Sequence, residues 1–494
     1  MSRAPGRPRG FWPLRDLPVV LWLLAVVFVA ALNPFFAHPE WLMIHLLLLG
    51  AATNAIVVWS RHFADALLHT APRPSERREQ SQRLLLLNAG VLAVVVGVPA
   101  GWWELTLAGA TAVVVAVLWH AAVLVRHMRR ALPSRFGAMV RYYVVAACFL
   151  PLGATLGTLL AMGMPDELEP RLVLAHASVN ILGWMGLSVL GTLVTLWPTM
   201  LRTRIADGAE RSARRALPLL ALAVAVTATG SVAGSRPVAA LGLAGYLAGV
   251  ATLSRSFVTS ARSKRPTTYS ALSALASVVW LVGSVTALAI GTATARSWAV
   301  ADERFDTVVP FLAAGFGAQV LLGALSYLVP VALGGGPSAV RAADAVLNTL
   351  AAPRIAVINA GLLALLMPVH GLARHAILAL VLAGFAAFLP VLFAAMRASR
   401  TARRTAASDP PSAHRTAPRP AVGPPIPTVD SVQTLQRWVT SGGLWSVAHR
   451  SADRLEVSLL TCDGGQEMDR LVSGDPALRE FVGTRTRSDD DVAT

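Results

Sequence analysis

Two histidines lie inside long apolar segments, and their position gives them the clearest potential for chemistry in the sequence. His45 and His176 each fall near the outer end of an apolar run long enough to cross a bilayer. An ionisable side chain inside a membrane is costly to bury and usually has a function. Imidazole is a common ligand of haem iron and of copper. We therefore consider both residues as cofactor ligands, with the alternative that both are neutral and hydrogen-bonded within helix contacts.

The polar residues around these histidines restrict the possible chemistry. Asn180 follows His176 by one helical turn, and Gly183 and Gly191 continue the same face. Such a small, polar stripe is expected to face a neighbouring helix or a flat cofactor rather than lipid. No Asp or Glu lies near the middle of a predicted span, which argues against a proton-coupled pump or a cation transporter. The sequence also lacks a Walker motif, a dinucleotide fingerprint and a Ser-His-Asp pattern.

The elements that must position these residues are apolar helices. The chain has 494 residues, of which 55% are hydrophobic and 14% are charged, whereas a soluble domain carries about 25% charged residues. The apolar runs predict about twelve transmembrane helices. The predicted spans are 17–36, 41–60, 84–101, 105–125, 142–163, 172–198, 216–234, 237–254, 270–294, 306–331, 355–369 and 376–396.

The loops predict the orientation of the chain. Every second loop is rich in arginine, as in 202–215, whereas the loops between them are short and nearly free of positive charge or acidic, as in 164–170 and 301–306. By the positive-inside rule, this alternation predicts that both termini are in the cytoplasm. The spans are expected to lie in the inner (plasma) membrane. The net charge of +16 is explained by this asymmetry, so nucleic acid is not an expected partner.

The chain is predicted to divide into a membrane domain and a small soluble domain. Residues 1–16 form the cytoplasmic N-terminus, and residues 17–397 form the membrane domain. Residues 398–430 are rich in Pro, Arg, Ala and Ser and are interpreted as a linker. Residues 431–494 combine helical and strand-like periodicity and predict a cytoplasmic α+β domain. The two cysteines, Cys148 and Cys462, fall in a span and in this domain, so no disulfide is expected.

The sixth and tenth predicted spans contain related sequences. Both read G-x7-G-x-L-x-x-L-x-P, and 132 residues separate Gly183 from Gly315 and Pro198 from Pro330. His176 lies 131 residues after His45, which is in the second span. Because these three spans are each four helices apart, the sequence predicts three equivalent blocks of four helices. Val308 occupies the corresponding position in the third block.

These features resemble the twelve-helix fold of the haem-copper oxidase catalytic subunit and, more closely, its NnrS-like relatives. The specific part of the resemblance is HASVNILGWMGLSVLGTLVTLWPTMLRTR at 176–204 and GFGAQVLLGALSYLVPVALGGGP at 315–337. Both segments are similar to membrane regions of actinobacterial proteins associated with copper oxidase or copper nitrite-reductase-like domains. The resemblance implies a role in nitrogen-oxide, copper or respiratory stress physiology, with a separate redox partner of one of these two types.

The resemblance also implies roles for individual histidines. His45 matches the haem-binding position of the second span, and His176 matches the metal-binding position of the sixth. The tenth span has no histidine and the seventh has no histidine pair, so the chain is not expected to be a complete oxidase. A haem b could be held by His45 with His370 or His176 as its second ligand, or copper could be bound at His176. Equally, the cofactors could have been lost and the scaffold retained.

Two functions of other classes remain open. The chain could be a permease for a small uncharged solute, with its repeated blocks acting as gates. It could also be a membrane scaffold whose cytoplasmic C-terminal domain recruits a partner.

Overall fold

Apolar stretches separated by short polar connections fold into long helices in the computed structural model of the protein. The structure describes residues 13–68, 74–131, 136–334, 336–408, 431–440, 443–451, 453–460 and 467–488. The fourteen helices before the C-terminal segment are α1 (Pro13–Ala31), α2 (Pro39–Leu67), α3 (Pro74–Gly97), α4 (Trp103–Arg130), α5 (Gly137–Ala161), α6 (Glu169–Leu201), α7 (Ala209–Val232), α8 (Arg236–Ser263), α9 (Tyr269–Thr294), α10 (Trp298–Leu333), α11 (Gly336–Leu347), α12 (Ala351–Ala364), α13 (Gly371–Ala386) and α14 (Phe388–Ser408).

The length and apolar character of these helices identify a multi-pass membrane protein. Among the described residues, ten helical segments are long and apolar enough to cross a bilayer when α13 and α14 are counted as one segment, Gly371–Thr405. The number reaches eleven if α11 and α12, which meet at a bend of 41°, form one span. The apolar part of α1, Leu17–Ala31, is shorter than a typical span. The prediction of a helical membrane protein is therefore confirmed, whereas the predicted count of twelve exceeds the number of helices that reach full length.

Three of the long helices contain a stretch of π-helix. These stretches are Leu46–Ala52 in α2, Ser178–Gly186 in α6 and Phe311–Ala318 in α10. A π-helical turn takes up one extra residue and shifts the side chains that follow it around the helix axis, and such turns are frequent at functional sites. They occur in the three helices that the sequence repeat relates, and hydropathy alone gives no sign of them.

Glycines allow neighbouring helices to approach closely, which is the main packing device where lipid provides no hydrophobic drive. Gly90 of α3 and Gly109 of α4 face each other backbone to backbone. A Cβ atom on Gly90 would lie 2.8 Å from the carbonyl oxygen of Gly109, and a Cβ atom on Gly109 would lie 2.8 Å from that of Gly90. A larger residue at either position would have to separate the two helices.

Two of the predicted boundaries differ from the structure. The acidic segment 301–306 was expected to be a loop, but it lies within α10, which Ser297 caps by accepting a hydrogen bond from the backbone N–H of Val300 at 3.2 Å. The expected linker from residue 398 is helical as far as Ser408. Both segments are rich in Ala, Arg or Glu, which are strong helix formers. The rest of the expected linker lies outside the described residues.

The C-terminal segment folds as predicted into a small α+β arrangement. Helix α15 (Ser431–Thr440) precedes an antiparallel sheet in the order β1-β2-β3, formed by β1 (Leu444–Arg450), β2 (Leu455–Leu460) and β3 (Glu467–Ser473), and α16 (Pro476–Val482) follows. Its core contains Leu435, Trp445, Leu455, Val457, Leu459, Leu478 and Val482. The described residues divide into two compact units, one within Phe11–Val329 and Leu347–Phe393, the other within Pro330–Val346 and Ala394–Thr494.

Candidate functional site

A large cavity lies between the helices of the first of these units. It has a volume of about 500 Å³ and is lined by residues of α2, α3, α4, α5, α6 and α10. Cavities of about 300–1,000 Å³ with a few polar groups in an apolar wall are typical of small-molecule and cofactor sites. Both His45 and His176 line it. The structure thus brings together the two histidines that the sequence indicates as candidate ligands.

The imidazole of His45 is held in one tautomer by its own helix. Its Nδ1 lies 2.8 Å from the backbone carbonyl oxygen of Trp41, and its ring stacks on the Trp41 indole with the centroids 4.0 Å apart. Because a carbonyl oxygen can only accept, Nδ1 must carry the proton. The Nε2 atom then keeps its lone pair and makes no hydrogen bond with a described residue. Metal-binding histidines commonly have this arrangement.

His176 has the same arrangement, but its anchor is on a different helix. Its Nδ1 lies 2.8 Å from the carbonyl oxygen of Gly153 in α5, so this nitrogen also carries the proton. The Asn180 amide donates to the His176 backbone carbonyl at 2.9 Å and lies beside the ring. The His176 Nε2 atom is left with a lone pair and without a hydrogen bond to the described part of the chain.

The two imidazoles are close enough to share a ligand. Their ring centroids are 6.3 Å apart and their planes are inclined by 26°. A metal ion bonded to both Nε2 atoms at about 2.1 Å would hold the ring centroids about 6 Å apart. The observed spacing is compatible with a bridging metal ion. No group of three or more His, Cys, Asp or Glu side chains with metal-site geometry occurs in the described ranges.

Two glycines of α5 make room for the polar face of α6. A Cβ atom on Gly157 would lie 2.7 Å from Cε1 of His176, and one on Gly153 would overlap the Asn180 amide. These glycines form a G-x-x-x-G motif, which lets helices pack closely in membranes. Sequence reasoning missed this contribution of α5, although the spacing of the two glycines could have indicated it.

The charged residues that line the cavity are acidic. They are Glu40, Glu169 and Asp306, and no Lys or Arg is among the described lining residues. A cavity with two imidazole lone pairs and three carboxylates attracts cations and disfavours anions. The acidic groups come from the ends of α2 and α6 and from the segment of α10 that the sequence indicates as a loop.

The third predicted ligand lies elsewhere. His370 is exposed at the N-terminus of α13 and does not line the cavity. In α10, the sequence repeat places Val308 where α2 and α6 have a histidine, and the neighbouring residue that lines the cavity is Val309. A valine side chain has no atom that can bind a metal. Cys148 is a free, exposed cysteine of α5, and Cys462 lies outside the described residues.

One histidine at the opposite end of the helices is enclosed by protein. His120 is only 1% exposed, and its Nε2 lies 2.8 Å from the hydroxyl of Ser60. Nearby, Arg61 donates to Asp65 at 3.0 Å and to Glu76 at 2.6 Å, which ties α2 to α3. These groups are buried because three helices pack together there, a tertiary effect that the position of His120 near its helix end does not reveal.

A cluster of amides and an indole joins the first three helices. Asn54 and Asn88 exchange hydrogen bonds of 3.1 and 2.8 Å, and the Trp22 indole donates to Asn88 at 2.7 Å. The Trp22 ring packs over Gly50, where a Cβ atom would lie 2.9 Å from the ring. We call these four residues the first amide clamp.

The same arrangement recurs between α9, α10 and α12. Gln319 and Asn359 exchange hydrogen bonds of 3.1 and 2.9 Å, and the Trp280 indole donates to Asn359 at 2.7 Å. The Trp280 ring packs over Gly315, where a Cβ atom would lie 2.6 Å away. In both clusters the glycine precedes the amide of its own helix by four residues. We call these four residues the second amide clamp.

The fold and the cavity together define the class of the protein as a multi-pass helical membrane protein with a histidine-lined cavity between its helices. No family model matches the sequence. No curated protein matches it at a significant level.

Proposed function

We propose that the protein binds a metal ion, copper in the first instance, between His45 and His176. The observation that supports this proposal is the pair of imidazoles, whose ring centroids are 6.3 Å apart. In each ring, Nδ1 donates a hydrogen bond to a backbone carbonyl, so that Nε2 keeps a lone pair for a metal. Among divalent first-row metals, nitrogen ligands bind copper most tightly. Two ligands make an open site, which suits a metal that is held briefly and passed on.

The cavity lining favours a metal ion over a haem. Haem propionates are anionic, and the charged lining residues Glu40, Glu169 and Asp306 would repel them. The same carboxylates would draw a cation towards the histidines. We therefore propose copper rather than haem b as the occupant, with His45 and His176 as its ligands and without His370.

The wider role follows from the sequence resemblance. We propose a divergent relative of the haem-copper oxidase and NnrS-like proteins that acts in nitrogen-oxide, copper or respiratory stress physiology. It would not reduce oxygen itself, since the tenth-span histidine and the seventh-span pair are missing. It would serve a separate copper oxidase or nitrite-reductase-like partner.

Metal analysis of the purified protein tests this function. The protein is purified in detergent, incubated with copper under reducing and oxidising conditions, and desalted. We expect stoichiometric copper and, with it, no haem bands in oxidised and dithionite-reduced spectra. A sharp band of a b-type haem in the reduced spectrum would show that haem, rather than copper, is the bound cofactor. A protein without bound copper and with a flat spectrum, from a haem-replete host, would overturn it.

We propose that α1 and the bent pair α11–α12 also cross the membrane, which gives twelve spans with both termini in the cytoplasm of the plasma membrane. Arginine-rich alternate loops support this orientation. Reporter fusions at residues 165, 205 and 408 measure the side of the membrane on which each of these residues lies. We expect cytoplasmic activity at 205 and 408 and external activity at 165. The reverse pattern, or opposite sides for 205 and 408, would contradict the proposal.

We propose that the helices form three equivalent four-helix blocks. The π-helical stretches of α2, α6 and α10 and the two amide clamps support this arrangement. In each clamp a tryptophan ring packs over a glycine. In the middle block Phe149 packs over Gly183 in the same way, so this block would keep the ring-on-glycine contact without the polar groups of the clamps.

If the clamps are equivalent, Asn88→Leu and Asn359→Leu should destabilise the protein by similar amounts, because each leaves an indole N–H and the oxygen of the facing amide without a partner. We expect about 1–3 kcal/mol for each variant, measured by unfolding of the purified protein. Thr286→Leu, at a partly exposed position of α9 outside both clamps, is the control and should leave stability unchanged. A loss confined to one clamp would count against equivalence.

A permease for a small uncharged solute is the second candidate. The observation that favours it is that the histidine cavity is followed along α2 and α6 by a second, apolar cavity, and that Met185 lines both.

A further inference from the structure

The second cavity has a volume of about 80 Å³, and we call it the apolar chamber. It lies between α2, α5, α6, α9 and α10. Most of its wall consists of aliphatic, methionine and aromatic side chains. Carboxylates, amides, histidines and basic side chains are absent from its described lining, in contrast to the histidine cavity.

The hydroxyl groups in the wall already have partners within the protein. Ser60 pairs with His120 at 2.8 Å, and Ser188 donates to the Trp184 carbonyl at 2.7 Å. Tyr143 pairs with Thr192 at 2.8 Å, and Thr192 also donates to the Ser188 carbonyl at 2.7 Å.

These hydroxyls therefore offer little to a water molecule or a polar ligand. A buried water needs two to four polar partners, whereas apolar cavities of about 150 Å³ stay dry and take up benzene or xenon.

Met185 is the described lining residue that the chamber and the histidine cavity share. It belongs to the π-helical stretch of α6. A Cβ atom on Gly317 would lie 2.9 Å from Cδ2 of Leu48 and 3.7 Å from Cε of Met185, so the three π-helical stretches meet at this level. Methionine is unbranched and flexible, so its thioether can change position without moving the backbone.

From these observations we infer that the apolar chamber is a binding site for a small, uncharged, apolar molecule of a few atoms, and that Met185 is the barrier between it and the histidine cavity. The inference goes beyond the proposed metal site and does not depend on it. A molecule in the chamber would reach the histidines when the Met185 side chain changes its rotamer. A charged or strongly hydrated solute would not enter, because the wall cannot replace its water.

Xenon is the probe for the chamber, because it is apolar and binding needs no metal. Crystals of the full chain are pressurised with xenon, and the anomalous map is compared between three proteins. We expect a xenon peak in the chamber of the wild type, no such peak in Ala324→Phe, whose new ring fills the chamber, and an unchanged peak in Ala251→Phe. Ala251 is an exposed position of α8 and gives the same substitution without touching the chamber.

The barrier is tested by Met185→Ala, which should extend the xenon density into the histidine cavity. Ordered water, a lipid chain or no xenon in the wild-type chamber would overturn the binding site. Xenon in both cavities of the wild type would overturn the barrier. If copper does not bind to the same protein but xenon does, the proposed function fails while this inference stands.

Discussion

Replacing either His45 or His176 by alanine should abolish copper binding by the purified protein. The structure gives the site two imidazole ligands, so removal of one leaves a single nitrogen donor in the cavity. Loss of a group that only orients a ligand costs about 10–100-fold in metal affinity, and loss of the ligand itself should cost at least about 100-fold. Competition with a chelator of known affinity measures the change, and the same samples give the metal content.

A third histidine supplies the control for this experiment. His370→Ala removes an imidazole of the same chemistry at an exposed helix terminus away from the cavity lining, so copper affinity should not change. Each variant must elute as a monodisperse protein before affinities are compared. Copper retained in both cavity variants would show that the metal is bound elsewhere, and loss of copper in His370→Ala would contradict the proposed ligand pair.

The second large effect is expected where α3 and α4 touch. Gly109→Leu should destabilise the protein by about 3 kcal/mol, the upper part of the range for overpacked sites. A Cβ atom at residue 109 would meet the Gly90 carbonyl oxygen at 2.8 Å and the Val94 backbone nitrogen at 2.9 Å. Both contacts are backbone atoms and cannot rotate away, so the helices must separate. Thermal unfolding and the monodisperse yield in detergent measure the loss.

A glycine in open surroundings makes the matched control. Gly283 of α9 is exposed, and a Cβ atom there would meet no heavy atom within 4 Å. Gly283→Leu makes the same chemical change, in a helix of similar apolar character, and should leave stability unchanged or slightly higher. Equal melting temperatures for the two variants would refute the close approach of α3 and α4.

The sequence alone was sufficient for the helical membrane architecture and for the strands of the C-terminal segment. Hydropathy and periodicity are properties of neighbouring residues, so they specify where a helix or strand forms without knowledge of the rest of the chain. The boundaries were less accurate: helix α14 continues to Ser408, and residues 301–306 are helical. Helix propensity and a serine cap decide these ends. Because the two segments are acidic or rich in arginine, their composition is more typical of a loop than of a helix.

The candidate site depended on both levels. Apolar surroundings were enough to indicate His45 and His176, because a histidine inside a span is unusual in any fold. Their approach to 6.3 Å is a result of tertiary packing, since the two residues are far apart in sequence. Sequence reasoning could not place Gly153 and Gly157 against α6, nor bring Glu40, Glu169 and Asp306 to one cavity.

Local composition is enough to specify a helical membrane protein with two unusual intramembrane histidines, because burial in lipid requires an apolar sequence throughout each span. Packing between distant helices is what brings these histidines to one cavity, buries His120 and leaves His370 away from the cavity. Which faces of helices meet is set by side-chain volume and glycine contacts between segments distant in sequence, and these interactions leave no pattern within any single segment.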